Sequence, residues 1–428
     1  QQDKYIDLKD QMYQKYMEKY VLSKEDEYPD LIKNPDEYFF NRFKEAVYEV
    51  YRFGYDNAYD FDPNKFNKLA VSEKRKFISM ITEKKAAHMF GGMVSKRDEF
   101  DLSAKAKKYF LNEYEISKLR YIRILEAKTA ISNALTKEGI RHIYLKGTEI
   151  RSLYKTKHMR WSNDIDLYVD VKDHKKAIDV FKNTLNCTYF AESIQHIVFE
   201  SELYKLHFEM HGTISAFFPK DLKKLLKDPF EHAIQDRHYD ARYHLNPTYF
   251  YLHHLAHMIS HTSGGEFWSH MYLDTYILNH RKEVDYSVIE EARLGEFNTV
   301  MTHISDSIFD GSIELTPEEK AFERILFKNS GEILGAVSKG NTRNSFKYVL
   351  ERLFPKYSSM KFIYPVLKKA PILLPFCYLA RLLSLFTKGK LKRGKEQLDA
   401  YNGAKDKEIK IFHDVGLKEY LESKHDAM

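Results

Sequence analysis

Turn formers are scarce in this chain: its 428 residues include only 17 glycines and 11 prolines, well below the roughly 7% and 5% of an average protein. That shortage excludes collagen-like, linker-rich and many-stranded all-β chains, and it favours long helices. Cysteine is scarcer still. Cys187 and Cys377 are the whole complement, too few for a disulfide scaffold or a cysteine-rich zinc site, so a reducing cytoplasm is the expected compartment. No basic segment leads into an apolar stretch after Gln1-Gln2-Asp3-Lys4, and no secretion signal is expected. Long hydrophobic runs are missing as well. The most apolar stretch, 370–386, is interrupted by Arg381 and broken early by Pro371 and Pro375, whereas a membrane span needs about 20 apolar residues. Residues 376–395, apolar and then basic, fit either a segment lying on an anionic membrane surface or a core-facing helix with a solvated tail. Charge of one sign is hardly in excess: 68 basic against 62 acidic residues give +6. Such a balance tolerates a phosphate-bearing ligand without requiring nucleic acid.

What is present is a helical pattern with one interruption. Asn34-Pro35-Asp36-Glu37 has the form of a helix start, and the periodic run that follows reaches Gly54. A second periodic run, 72–90, is expected to stop at Gly91-Gly92, and a long one, 103–137, at Gly139. Between 140 and 214 the period falls to two, giving short strands at 142–146, 165–169, 188–190, 198–200 and 206–211. A helix over 173–185, capped by Asp173, separates two of them. Helices return behind Asp228-Pro229, Asn246-Pro247 and Thr316-Pro317, the last with a capping box to Glu319. The expected architecture is α+β: a small mixed-sheet core at 140–215 between an N-terminal helical region (1–139) and a helical domain (216–350). A C-terminal helical and basic segment (351–428) follows. The 31 tyrosines and 29 phenylalanines fall mostly at helical spacing, which points to core packing.

The chemistry concentrates in the interruption. In Ser162-Asn163-Asp164-Ile165-Asp166-Leu167-Tyr168-Val169, strand alternation sends Asp164 and Asp166 to one side and Ile165, Leu167 and Val169 to the core. Two carboxylates so close repel unless a cation neutralises them, and hard oxygen donors suit Mg²⁺ or Mn²⁺; a solvated strand face is the plainer alternative. Upstream, Lys146-Gly147-Thr148 follows a strand and opens a helix expected over 148–154. Such a turn offers backbone N–H groups and a lysine charge to phosphates, or is an ordinary turn. Arg160 fits a bidentate phosphate clamp or a surface ion pair. Downstream, Leu206-His207-Phe208-Glu209-Met210-His211 alternates, leaving His207, Glu209 and His211 on one polar face. A third carboxylate there would complete a metal site for in-line phosphoryl displacement, or serve as general base. The three acids are expected to converge without basic partners of their own.

Taken together, Lys146-Gly147-Thr148, Arg160, Asp164-Ile165-Asp166-Leu167 and Glu209-Met210-His211 resemble the uncharacterised bacterial nucleotidyltransferase family of the DNA polymerase β superfamily. The resemblance implies transfer of a nucleoside monophosphate from NTP to an acceptor with release of pyrophosphate. It further implies Asp164, Asp166 and Glu209 as ligands of Mg²⁺ or Mn²⁺, the Gly147-Thr148 turn as phosphate holder, and Asp274 as a pocket residue, for which a helix-surface ion pair is the alternative. His253, His257 and His261 recur every four residues on one helix; they fit a polar cleft lining, with His257 and His261 near nucleotide or acceptor, or a transition-metal site. The acceptor stays open among a small molecule or sugar (favoured by the modest charge), RNA and protein. A catalytically silent nucleotide-binding module and an RNA- or tRNA-directed toxin are the alternatives.

Overall fold

In the computed structural model of the chain, residues 35–328 are described apart from 194–195, 216–217, 219, 265–266, 282 and 312, together with 370–385 and scattered positions between 354 and 417. The chain divides into two compact units, Gln1–Tyr114 and Glu115–Met428.

In the first unit, helices α1 (Pro35–Tyr55), α2 (Val71–Glu83) and α3 (Ala87–Lys96) precede the start of α4 (Ala104–Lys137). Its core is aromatic: Phe90 meets Phe77, Phe100 and Phe110 with ring centroids 4.9–5.1 Å apart. The single helix expected over 72–90 is two, because Lys85 takes a positive φ of 60° between them. The first helix ends at Tyr55, one residue past Gly54 as expected, whereas α3 runs through Gly91-Gly92 and does not stop there. Gly91 is small for a packing reason, since a Cβ there would sit 2.0 Å from the Phe110 carbonyl oxygen.

The second unit is built on a seven-stranded mixed sheet in the order β3-β4-β5-β2-β1-β7-β6. Its strands are β1 (His142–Tyr144), β2 (Asp164–Val169), β3 (Thr188–Glu192), β4 (His196–Ser201), β5 (Leu206–His211), β6 (Ala233–Gln235) and β7 (Arg242–Leu245). Strand β2 runs antiparallel to β1 and parallel to β5. One face packs Ile165, Leu167, Val169, Phe199, Phe208 and Met210 against Ile124, Ile131 and Leu135 of α4. Slipping β2 by one residue would expose its three apolar side chains, at about 2 kcal/mol each, so the register is fixed and with it the opposite, polar face. The short helix α5 (Lys146–Ile150) follows β1, and 3₁₀ turns replace the rest of the helix expected to 154. The 173–185 helix is a composite, with α6 (His174–Asp179) continuing into a π-helical turn; Asp170, not Asp173, accepts a capping N–H.

Helices α7 (Pro247–Gly264), α8 (Ser269–Asn279), α9 (Tyr286–Glu291), α10 (Gly295–Phe309) and α11 (Pro317–Lys328) follow the sheet. Asn246 caps α7 through the Tyr249 N–H at 3.0 Å, and the Thr316–Glu319 capping box is formed in both directions. Helix α12 (Leu374–Leu385) exposes Phe376 and Leu379. The basic positions 388–395 lie outside the described residues. No helix among the described residues is long and apolar enough to cross a membrane. The fold is α+β, a mixed sheet among helices.

Candidate active site

Strand pairing does the assembly. The parallel β2–β5 register sets Asp166 beside Glu209 and Asp164 beside His207, so alternation places all of them on the face away from the core. A carboxylate oxygen from each of Asp164, Asp166 and Glu209 lies within 4.8 Å of the other two. The expected convergence is there, but the expected lack of basic partners is not. Asp166 Oδ1 receives Lys146 Nζ at 2.5 Å and faces His211 Nε2 at 2.9 Å. Although burial works against it, those partners hold the Asp166 carboxyl far below the usual range. Asp164 is the surplus charge. Burial and then the neighbouring Asp166 push its carboxyl up to about 6, and Ser162 Oγ donates to it at 2.9 Å.

The turn that follows β1 supplies the lysine. Leu145 is extended and its N–H donates to the Asp166 carbonyl at 3.0 Å; Lys146 then adopts a positive φ of 48° and opens α5. This sparsely populated conformation sends the chain directly from strand into helix. Thr148 is buried and its Oγ1 accepts the Asp166 N–H at 3.3 Å, tying the turn to the aspartate strand. Gly147 lies against Arg160: a Cβ there would be 3.2 Å from the guanidinium.

Arg160, the expected phosphate clamp, is committed elsewhere. Its Nε donates to both Asp274 oxygens at 3.0 Å, Nη2 lies 2.8 Å from Oδ2, and Tyr154 donates to Oδ1 at 2.6 Å. A fully sequestered guanidinium needs such a carboxylate, and α8 supplies it. Spacing gives no hint of a pair 114 residues apart. Arg151 takes the opposite position. It is 4% exposed, its Nε and Nη2 have no hydrogen-bond partner among the described residues, and burial followed by the Arg160 charge pushes it down to about 9.

On α7, His253 and His257 are held neutral by burial and then by the Lys146 charge, His253 at about 3 and His257 well below its ordinary range. His257 Nε2 lies 3.0 Å from His261 Nε2, and the His261 ring is 4.9 Å from that of Trp268. These histidines form no metal cluster among the described residues, where the clusters are Asp164–Asp166–Glu209, His196–Glu209–His211 and His280–Asp306–Asp310.

Sequence reasoning misses Arg151, Tyr154 and His196. Only His196 leaves a trace: beginning β4 two residues earlier than the expected 198–200 puts it opposite His211. The sequence profile of the uncharacterised nucleotidyltransferases matches residues 72–301, more than half the chain. The protein belongs to that family. The matched span contains the acid cluster, the Lys146–Thr148 turn, Arg151, the Arg160–Asp274 pair and the α7 histidines. Comparisons with curated proteins and with solved structures found no match.

Proposed function

We propose that this nucleotidyltransferase moves a nucleoside monophosphate from NTP to a hydroxyl or phosphate acceptor, releasing pyrophosphate, and that it needs a divalent cation. The polymerase β superfamily placement and Mg²⁺ or Mn²⁺ as the cation belong to the same reading. It is carried by one observation: the β2–β5 register gathers three carboxylates beside a strand–turn–helix that presents Lys146, Gly147 and Thr148. Against three acids the turn sets one lysine, and the Asp164 carboxyl is raised by burial first and by the Asp166 charge second. An all-oxygen donor set with uncompensated charge fits a hard divalent cation. Held by Asp164, Asp166 and Glu209, such a cation would neutralise developing phosphate charge.

The chain's own groups then divide the work. Lys146 and His211 fix the Asp166 carboxylate, and Glu209 is assigned as the general base that takes the acceptor's proton. As the acceptor oxygen forms its bond to the α-phosphorus, the bond to the bridging oxygen breaks and pyrophosphate leaves. Arg151, with guanidinium nitrogens unspent, and the Gly147–Thr148 backbone are the triphosphate side of the site. Arg160 is a positioning residue: pinned by Asp274, it supports Gly147 from below. Helices α7 to α11 follow the sheet, and His257, held neutral by burial, and His261 on α7 line the nucleotide or acceptor pocket in this reading. Incubating full-length protein with α-labelled NTP and Mg²⁺ or Mn²⁺ tests this. Wild type should release pyrophosphate, and Asp164→Asn should lose about 100-fold or more of that rate while staying folded. Equal rates in the two proteins refute the assignment.

A further inference from the structure

The polar face of the sheet extends past the acid cluster onto β4. Antiparallel pairing sets His196 directly opposite His211 and Val198 opposite Glu209, so both imidazoles and the Glu209 carboxylate project from one face. The two rings have centroids 5.0 Å apart at 59°. A donor atom from each of His196, Glu209 and His211 lies within 4.8 Å of the other two. The Nδ1 of His196 is buried and finds no hydrogen-bond partner among the described residues, which leaves an imidazole nitrogen in need of an acceptor or a cation. His211 Nε2 lies 2.9 Å from Asp166 Oδ1 and 3.6 Å from Glu209 Oε2, and such carboxylate contacts fix the orientation of the ring beside the site.

We propose that His196, His211 and Glu209 form a nitrogen-rich site for a late first-row divalent cation of the Zn²⁺ or Co²⁺ type, beside the acid cluster and sharing Glu209 with it. Two imidazoles and one carboxylate form a donor set of intermediate softness that Zn²⁺ occupies readily and Mg²⁺ does not. The neighbouring set of three carboxylates has the opposite preference. One strand pair and one shared acid thus separate two cation chemistries on a single sheet face. This inference rests on the donors and their register, and it stands whether or not the protein transfers nucleotides.

Co²⁺ titrated into chelator-stripped full-length protein provides the test, because low-coordinate Co²⁺ with imidazole ligands absorbs strongly in the visible and all-oxygen octahedral Co²⁺ does so weakly. Wild type should develop strong bands that Zn²⁺ abolishes and Mg²⁺ leaves in place. His196→Gln should weaken Co²⁺ binding about tenfold or more, whereas Asp164→Asn should keep the bands. Pulsed EPR of the Cu²⁺-loaded wild type should register imidazole nitrogen, which decides the matter even if His196→Gln does not fold. Absence of imidazole nitrogen, displacement of the bands by Mg²⁺, or a folded His196→Gln with unchanged affinity overturns the proposal. Missing NTP turnover with intact bands would instead count against the nucleotidyl-transfer reading alone.

Discussion

Asp164 and Asp166 sit two positions apart on β2, and their carboxylates keep different company. Asp166 holds Lys146 and His211, so Asp166→Asn removes the charge that balances a largely buried ammonium. The apo protein should lose about 3 kcal/mol, measured by urea unfolding; an unchanged midpoint would show that the pair contributes nothing. Asp164 behaves in the reverse way. Its folded value of about 6 lies above the ordinary 3.8, so the folded chain binds an extra proton between those values. Stability contributed by Asp164 therefore falls as pH rises through that window. Asp164→Asn should flatten this dependence and leave the apo protein at neutral pH more stable, by an amount of order 1 kcal/mol; a melting series against pH checks the sign. Both aspartates were legible from alternation alone, since Ile165 and Leu167 demand the core. Their inequality was not, because it depends on a lysine left-handed at φ 48° and on a histidine across the sheet.

Helix α5 is short, and its hold on the sheet comes from neighbours at both ends of the turn. At Gly147 a Cβ would lie 3.2 Å from the Arg160 guanidinium, which would have to give by a few tenths of an ångström against the Asp274 ion pair that holds it. Gly147→Ala should cost about 1–2 kcal/mol, and Gly147→Val more, so folding suffers along with any loss of NTP binding. Measuring both by denaturant unfolding and nucleotide titration separates the two effects. At Glu149 the support is ionic: Lys128 donates at 2.9 Å, and His244 bridges Glu149 at 2.7 Å and Asp236 at 2.5 Å. Despite burial, Lys128 and His244 bring Glu149 down to about 2, while the Glu149 contact raises His244 above 6.5. A raised histidine stabilises the fold below its unfolded value and gives that up as pH climbs through the folded one. Hydrogen exchange of 146–150 and 242–245, corrected for intrinsic rate, should quicken from about pH 6 to 8 in wild type and not in His244→Gln. Equal profiles would mean the bridge does not hold α5. Sequence reasoning finds the strands that alternate but not β6 and β7. Ala233–Gln235 is three residues long, Arg242–Leu245 is half-buried rather than alternating, and β7 pairs in parallel with a strand a hundred residues earlier. Nothing local encodes such a partner.

For the molecule as a whole, the sharpest open choice is the acceptor, and bulk electrostatics can decide it. The chain carries 68 basic and 62 acidic residues, and many of the bases already have acidic partners: Lys128 and His244 on Glu149, Lys146 on Asp166, Arg160 on Asp274, Arg242 on Asp236. On the proposed reading, the turn backbone and Arg151, whose Nε and Nη2 have no hydrogen-bond partner among the described residues, serve one triphosphate. A polynucleotide acceptor would need a row of phosphate contacts, and its binding would lose about 10³–10⁵ in affinity between 50 and 200 mM salt if it made 6–10 of them. A small hydroxylated acceptor makes few such contacts, so salt should change its KM by no more than about threefold. The measurement is label transfer from α-labelled NTP into separated small-molecule and RNA fractions across that salt series. We expect label in the small-molecule fraction with a shallow salt dependence. Label that enters RNA and disappears steeply with salt would identify a nucleic-acid acceptor, and the basic surface that binds it would then have to be sought beyond the residues paired here.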